Sequence, residues 1–202
     1  MARPRQISTE KILETALQCF LEHGMGVATQ VIADRLGISQ PALFKRFGTK
    51  KELIVAALAP PARLPLTKWI DEGPHSGEFR PQLEELLGKL WETLKILLPR
   101  LMLLMESKID VKEFHKRYKV LPIVYLLMSI AGWFERAQQK ELLRADGNPE
   151  FWALSCLGTL HGRAITRVLL NVEFGPDDDA AYIESVVDVL YRGMKPEVNN
   201  AL

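Results

Sequence analysis

Residues 37–50 of the chain, GISQPALFKRFGTK, combine glutamine, proline, alanine and basic side chains at a spacing that suits contact with DNA. Packing of a short helix here needs only Leu43 and Phe47, which lie one helical turn apart. Among the remaining side chains, glutamine can pair with adenine, and arginine or lysine can pair with guanine. Proline or alanine can contact a thymine methyl group. Lys50 falls at a helix start, where a backbone phosphate binds readily. The pattern therefore predicts a helix that presents its N-terminal side chains to a major groove.

Turn and capping signals around this segment predict a helix-turn-helix. Gly37 permits the sharp turn, Ser39 can cap the helix that follows, and Ala33 is small where the two helices cross. Thr49 and Glu52 have the spacing of a capping box, which starts another helix. The predicted helices run from Ser8 or Thr9 to Gly24, from about Thr29 to Leu36, from Gln40 to Phe47, and from Thr49 to the prolines at 60–65.

The N-terminal quarter of the chain is basic, although the whole chain has a net charge of only +1. Residues 1–52 contain eight Lys or Arg against five Asp or Glu, whereas residues 53–202 contain eighteen against twenty. A basic segment on a mildly acidic body favours a polyanion as the partner of that segment alone. The alternative interpretation is a chance fluctuation of charge and an ordinary solvated amphipathic helix.

Apolar spacing is helical along nearly the whole chain, and no alternating run bounded by turn signals predicts a strand. We therefore expect an all-α fold without repeats. Further helices are predicted at about 83–98, ending at Pro99, and at about 100–108, 120–143, 149–172 and 178–192. The longest apolar run, 120–134, is shorter than the roughly 18–20 residues that a membrane span needs. Cys19 and Cys156 have no CxxC partner, so we expect a cytoplasmic protein with reduced thiols.

Residues 8–58 resemble the DNA-binding domain of the TetR family of transcriptional regulators. The segments that carry the resemblance are ILETALQCFLEHG, IADRLGIS, PALFKRF and GTKKEL. TetR-family proteins are two-domain, all-α homodimers that bind pseudo-palindromic operators and usually release them when a small molecule occupies the C-terminal domain. The resemblance implies a DNA-binding domain at 1–52, an effector-binding and dimerisation domain at 53–202, and a sequence-specific regulator that acts as a repressor.

By the same resemblance, the contacts to double-stranded DNA come from the helix-turn-helix and the helix start that follows it. Phe44 stands where the family usually has a tyrosine, so a phosphate-binding hydroxyl is missing, although the ring can pack against a sugar. The loop before Thr29 is about one residue shorter than usual, and Lys50 matches the family's phosphate-binding lysine. The implied DNA contacts are Thr29, Gln30, Gln40, Pro41, Ala42, Phe44, Lys45, Arg46 and Lys50.

The last two long helices are where TetR-family proteins dimerise, as a four-helix bundle. Gly158 and Gly162 lie on nearly one line of their helix. A glycine inside a helix costs about 1 kcal/mol against alanine, which a close helix contact can compensate. For each residue of this region, the core of the chain itself is the alternative. The predicted interface residues are Gly158, His161, Gly162, Ala164, Val168, Val186, Val187 and Leu190.

Large, soft side chains in the middle helices predict an adaptable apolar pocket for a hydrophobic or aromatic effector, with plain core as the alternative for each of them. A polar anchor in this pocket could come from His161 or Arg163, and His161 could equally lie in the dimer interface. The predicted pocket residues are Trp91, Met102, Met105, Phe114, Tyr125, Met128, Trp133 and Trp152.

No enzymatic motif accompanies these features. The sequence has no P-loop, GxGxxG, HExxH or GxSxG, and its four histidines lack metal-ligand spacing. We therefore expect neither catalysis nor a metal or cofactor. An all-α enzyme and a peptide-binding module are the competing classes, and a peptide groove would not need Lys45, Arg46 and Lys50 to project together.

Overall fold

The fold is all-α, as predicted, in a computed structural model that describes residues 7–59, 65–110 and 122–196. Within these ranges the chain forms nine helices and no strand. They fall into two contact units, one made of 7–59 and 97–110 and the other of 65–96 and 122–196. The helices are α1 (Thr9–His23), α2 (Thr29–Leu36), α3 (Gln40–Phe47), α4 (Lys50–Leu58), α5 (Pro65–Glu72), α6 (Phe79–Glu106), α7 (Pro122–Gln139), α8 (Pro149–Leu169) and α9 (Asp179–Met194).

The first unit packs α2 and α4 against α1, and α3 against α2 and α4. Ile12 and Phe20 of α1 are at most 1 % exposed, and α3 contributes the fully buried Leu43. The last turn of α6 belongs to the same unit, since the Glu106 carboxylate accepts the backbone N–H of Met25 at 3.4 Å. The predicted domain boundary between residues 52 and 53 falls within α4, whose residues all pack in this unit. Because α3 is anchored by one buried residue, its other faces remain at the surface.

Aromatic side chains form the centre of the second unit, in which α7 packs on α8 and α5. Trp133 and Phe134 of α7 are fully buried. Trp133 stacks on Trp69 of α5 with ring centroids 5.4 Å apart, and Phe134 meets Trp152 of α8 edge to face at 5.7 Å. Ring pairs of this geometry add to the stabilisation from burial. Aromatic contacts therefore fix three helices of this unit together.

The predicted helix end at Pro99 was wrong, because α6 continues through it from Phe79 to Glu106. Proline removes one backbone hydrogen bond and crowds the preceding turn, which usually ends or kinks a helix. Here Leu98 and Leu103, on either side of the proline, are both buried. The apolar face continues across Pro99, and its packing outweighs the lost hydrogen bond.

Two further helix predictions differ from the structure. α5 was not predicted, since its segment PLTKWIDE is short and follows a run of prolines. Leu66 and Ile70, one turn apart in α5, are each 1 % exposed, so tertiary packing holds this helix. The helix predicted at 120–143 is shorter at its end, because α7 stops at Gln139 and Glu141 has a φ of 58°. Residues 120 and 121 lie outside the described ranges.

Both cysteines, Cys19 and Cys156, are free and buried, in agreement with the prediction that they form no disulfide. Burial raises the pKa of the Cys156 thiol to about 12, and burial also raises the pKa of the Cys19 thiol. Across the described ranges, no helix combines the length and apolarity that a bilayer crossing requires.

Candidate nucleic-acid interface

The turn between α2 and α3 is closed by hydrogen bonds that fix how the second helix follows the first. Gly37 has a φ of 66°, and the N–H groups of Gly37 and Ile38 bond back to carbonyls in the last turn of α2, both at 3.0 Å. This is the Schellman ending of a helix, whose left-handed residue is best supplied by glycine. Ser39 Oγ then accepts the Ala42 N–H at 3.3 Å and caps α3. The predicted turn and cap are confirmed.

Four of the predicted DNA contacts lie together on the exposed side of α3. Pro41, Ala42, Lys45 and Arg46 are all exposed, and their spacing places them away from the buried Leu43. The proline lies in the first turn of the helix, where its missing N–H breaks no intrahelical bond. We call these four residues the reading face. It offers two cations and two small apolar groups to a partner.

Gln40, the first residue of α3, is held by Thr29, the first residue of α2. Its Nε2 donates to Thr29 Oγ1 at 2.6 Å, and Thr29 is only 5 % exposed. The glutamine amide keeps its second N–H and its carbonyl oxygen, which are the donor and acceptor that a bidentate pair with adenine needs. In this DNA-free structure Thr29 therefore supports Gln40 instead of standing at the surface itself.

The two predicted cations at the end of the helix-turn-helix each hold a backbone carbonyl. Arg46 Nη1 donates to the Ile7 carbonyl, and Lys50 Nζ donates to the Val27 carbonyl at 2.7 Å. A guanidinium has five N–H donors and an ammonium has three, so both keep donors for DNA. Arg46 is exposed and Lys50 is half-buried. Each cation is thus oriented by one backbone carbonyl and keeps further N–H donors for DNA.

The predicted contacts Gln30 and Phe44 also have partners within the protein. Gln30 Nε2 donates to Asp34 Oδ1 at 2.6 Å along the exposed side of α2, and the Phe44 ring is half-buried. Beside them, Arg35 bonds Glu22 of α1 at 2.6 Å, and this hydrogen bond holds the pKa of the Glu22 carboxyl below its usual value. Side chains on the outer surface of α2 are therefore bonded to α1 and to one another.

The predicted effector-pocket residues that the structure describes are divided between the two contact units. Trp133 and Trp152 both contact Phe134 in the core of the second unit. Trp91 instead donates its indole N–H to Asp179 at 2.7 Å. These tryptophans are at most 7 % exposed, so any ligand that reached them would have to displace protein atoms.

The remaining predicted pocket residues differ from these tryptophans in contact unit or in exposure. Met102 and Met105 belong to the first unit, and Met105 is 73 % exposed. Tyr125 and Met128 of α7 are 54 % and 63 % exposed. Phe114 lies outside the described residues. The effector pocket therefore stays a prediction.

The predicted dimer-interface residues divide into two groups. Those exposed or half-buried are Gly158, His161, Gly162 and Leu190. Those at most 7 % exposed are Ala164, Val186 and Val187, which belong to the core of the chain itself, the alternative considered for them. The side chain of Val168 lies outside the described part. Phe151 and Leu154, which the sequence analysis did not select, extend the exposed side of α8 and are 65 % and 56 % exposed.

A polar cluster that sequence analysis did not identify joins α6, α8 and α9. The Asp179 carboxylate accepts hydrogen bonds from Trp91 Nε1 at 2.7 Å, Arg167 Nη1 at 2.7 Å and Arg163 Nη2 at 3.2 Å. We call these four residues the Asp179 cluster. Burial by itself raises the pKa of the Asp179 carboxyl, but the hydrogen bonds from Trp91 and Arg163 and the charge of Arg167 outweigh it, so the pKa lies below its usual value.

The N-terminal helices match a known family. Residues 12–57 fit the sequence family described as bacterial regulatory proteins, tetR family. The helix-turn-helix is thus of the TetR type. The matched range includes the whole of α2 and α3, and therefore the complete helix-turn-helix.

Solved structures of the same fold cover nearly the whole chain. One is a TetR-family protein of Mesorhizobium loti MAFF303099, with a TM-score of 0.71, 17 % identity and coverage of 93 % of this chain and 96 % of that one. A TetR family transcriptional regulator from Pseudomonas syringae pv. tomato str. DC3000 has a TM-score of 0.62 and 20 % identity over 94 % and 97 % of the two chains.

A third similar structure contains a ligand. It is SmeT in complex with triclosan, with a TM-score of 0.61 and 20 % identity over 93 % of this chain and 91 % of that one. SmeT is the repressor of the Stenotrophomonas maltophilia multidrug efflux pump SmeDEF. At these identities the likeness is one of fold, and it agrees with the all-α architecture described above.

Proposed function

We propose that this protein is a DNA-binding transcriptional regulator of the TetR family that reads a pseudo-palindromic operator as a homodimer. The observation that carries the DNA-binding part is the reading face, whose two cations and two small apolar groups stand exposed on a helix with a fixed turn. The match of residues 12–57 to a family of bacterial regulatory proteins supports the same function. Repression of transcription, relieved by a small hydrophobic effector, is the regulatory mode that we propose for it.

Each group of the interface has a DNA partner of matching chemistry. Arg46 and Lys45 suit guanine O6 and N7, and Gln40, supported by Thr29, suits adenine. Pro41 and Ala42 suit thymine methyl groups. Because Lys50 begins α4, its ammonium and the N-terminal end of that helix both suit a backbone phosphate. In this division of roles, bases are read by α3 and register on the duplex is set by Lys50.

The homodimer that we propose uses the exposed side of α8 together with α9. Phe151 and Leu154 present large apolar surface there, followed at helical spacing by Gly158 and Gly162. A β-carbon added at either glycine would meet no atom within 4 Å in the single chain. Space of this kind allows the close approach of a partner helix, and a two-fold dimer is the symmetry that an inverted-repeat operator requires.

The effector that we propose is small and largely apolar. The triclosan complex of SmeT supports an aromatic ligand as a type of molecule that this fold can hold. In this chain, the tryptophans of the second unit could pack against an aromatic ligand, and the cations of the Asp179 cluster could bind its polar group.

The test is selection of the purified protein against randomised DNA duplexes, followed by sequencing of the retained DNA. We expect an enriched inverted repeat, which requires both specific reading and a two-fold dimer. Affinity for this repeat should fall steeply with salt, by a slope of about −0.9 per phosphate neutralised. Retention without any enriched sequence would exclude specific regulation, and no retention at low salt would exclude DNA binding.

A matched pair of variants sharpens the salt measurement. Lys50→Ala and Lys68→Ala each remove one positive charge, and Lys68 on α5 is 87 % exposed. Only Lys50→Ala should weaken all duplexes about equally and reduce the salt slope by about one. Equal effects of the two variants would show that Lys50 contributes general charge only.

A further inference from the structure

Arg163 of α8 is a buried cation with incomplete partners. Its side chain is 2 % exposed, and of its nitrogens only Nη2 is bonded, to the Asp177 carbonyl and to Asp179 Oδ1, both at 3.2 Å. Nε and Nη1 are buried and have no hydrogen-bond partner. Three of the five N–H donors of the guanidinium are therefore unpaired, whereas buried polar groups are normally satisfied.

The carboxylate nearest to Arg163 is shared with a second guanidinium group. Asp179 is shared with Arg167, whose Nη1 lies closer to the carboxylate, at 2.7 Å against 3.2 Å for Arg163. Glu173, the other acid of this group, pairs with Arg167 at 3.0 Å and is 52 % exposed at its side chain. Asp179 therefore binds two guanidinium groups, and its contact with Arg163 is the longer of the two. A further anion beside Arg163 would be favoured.

One aromatic ring contacts this cation, and buried apolar residues lie near it on α8. The Tyr182 ring lies 4.2 Å from the guanidinium carbon, which is the geometry of a cation–π contact. On α8, Leu160 and Ala164 flank Arg163 and are at most 4 % exposed. Trp91, bonded to the same carboxylate, is 6 % exposed. A ligand that satisfied the open donors would therefore combine an anionic oxygen with an apolar body.

We infer that Arg163 is the anchor for the carboxylate of a small hydrophobic acid, and that this acid is the effector. The inference rests on the proposed function, which it makes more specific. The carboxylate oxygens accept from Nη1 or Nε while Nη2 stays on Asp179. Since these donors are covered in the present structure, the acid reaches them by displacing the side chains that cover them.

The experiment compares acids with their own amides, which share shape but lack the charge. The probes are octanoate with octanamide, 3-phenylpropanoate with 3-phenylpropanamide, and naphthalene-2-carboxylate with its amide, each titrated into the full-length protein by calorimetry. At least one acid should bind ten times more tightly than its amide. Equal binding within every pair, or no binding of any acid at millimolar concentration, would overturn the inference.

Two variants locate the effect. Arg163→Lys keeps the charge but removes Nε and Nη1, and it should weaken the acid tenfold or more while leaving the amide unchanged. Arg167→Lys changes the other guanidinium on Asp179, which is 32 % exposed at its side chain, and should alter acid binding less than threefold. Unchanged acid affinity in Arg163→Lys, or equal losses in both variants, would contradict the assignment of Arg163. The acid–amide comparison on the unaltered protein decides the question even if a variant fails to fold.

Selection of DNA by the unliganded protein is measured separately from acid binding, so that the two results can be compared. An enriched inverted repeat with no acid preference would retain the proposed function and reject this inference. An acid preference without any DNA retention would reject the proposed function and the effector role, and would retain Arg163 only as the anchor of an acid. Where both hold, the acid that binds should release the selected duplex from the unaltered protein but not from Arg163→Lys.

Discussion

The helix-turn-helix and the Asp179 cluster arrange their polar groups in opposite ways. In the former, the contacts that cap α3 and support Gln40 span few positions and lie near the surface: Ser39 Oγ accepts the N–H three residues on, and Thr29 bonds Gln40 across eleven positions. In the latter, Asp179 meets Trp91 across 88 positions and holds an arginine whose side chain is 2 % exposed. Water can replace a lost partner at the surface but not in the interior. The first arrangement suits display of side chains, whereas in the second the loss of a partner leaves a buried charge uncompensated.

The largest effect should follow from removal of the carboxylate that holds the Asp179 cluster. Asp179→Asn leaves two guanidinium groups without their shared anion. We expect a loss of about 3 kcal/mol in the free energy of unfolding, the lower end for a broken buried pair because the aspartate is 35 % exposed. Urea unfolding followed by tryptophan fluorescence measures it. The control is Asp188→Asn, which breaks an exposed pair with Arg80 and should change little; equal losses would remove the contrast between the two regions.

Ionisation of the Asp179 carboxyl should also make the free energy of unfolding depend on pH. Its pKa in the folded chain lies below the usual value of 3.8, so its contribution is complete above that value and is lost as the pH falls through the folded pKa. The difference in unfolding free energy between the unaltered protein and Asp179→Asn should therefore shrink between about pH 5 and pH 3. A difference that stayed constant over this range would show that the aspartate pKa is unperturbed by its partners.

On the DNA side, the largest effect should come from Arg46. If it reads a base, Arg46→Ala should cost roughly 1–3 kcal/mol of binding to the selected duplex and relax the sequence preference at one position. Because its one bond within the protein is to an exposed backbone carbonyl, the stability of the fold should be little affected. Titration with selected and random duplexes measures the preference. Equal losses on both duplexes would assign the guanidinium to phosphate instead.

The dimer can be tested with a substitution that helps the isolated helix. Gly158→Ala meets no atom within 4 Å in the single chain and should raise its helix propensity, whereas a partner helix in close contact would be pushed away. We expect dimer dissociation to become about tenfold easier, as measured by analytical ultracentrifugation. Gly88→Ala in α6, also without atoms within 4 Å, is the control and should leave the dimer unchanged. A dimer equally stable in both variants would place the interface elsewhere.

The smallest effect should come from the support beneath Gln40. Thr29→Val keeps the volume of the buried side chain but removes the oxygen that holds the amide, and the free amide can bond to water because Gln40 is only half-buried. We expect about 1 kcal/mol weaker binding, confined to duplexes with the preferred base at the Gln40 position. Competition between duplexes that differ at one base pair measures it. Loss of affinity for every duplex alike would mean that Thr29 supports the whole domain.

Sequence reasoning located the helix-turn-helix because its determinants act over a few residues. Gly37, Ser39 and the Thr49 capping box each specify a turn or a helix start from within three or four positions. The second unit depends on partners that the sequence does not place together. α5 is held by packing and was missed, and Pro99 does not end α6 because the buried face continues beyond it. Asp179 could not be recognised, since its partners come from two other helices.

The two buried cysteines make this protein convenient for site-specific labelling. Maleimides and haloacetamides react with the thiolate, and a thiol whose pKa is about 12 contains almost none of it at neutral pH. Cys156 should therefore stay unmodified in the folded chain, and Cys19, with no exposed surface, should do the same. A single cysteine introduced at the exposed Met105 could carry a fluorophore or spin label while both native residues remain in place. Distances between labels in solution could then be measured with and without DNA.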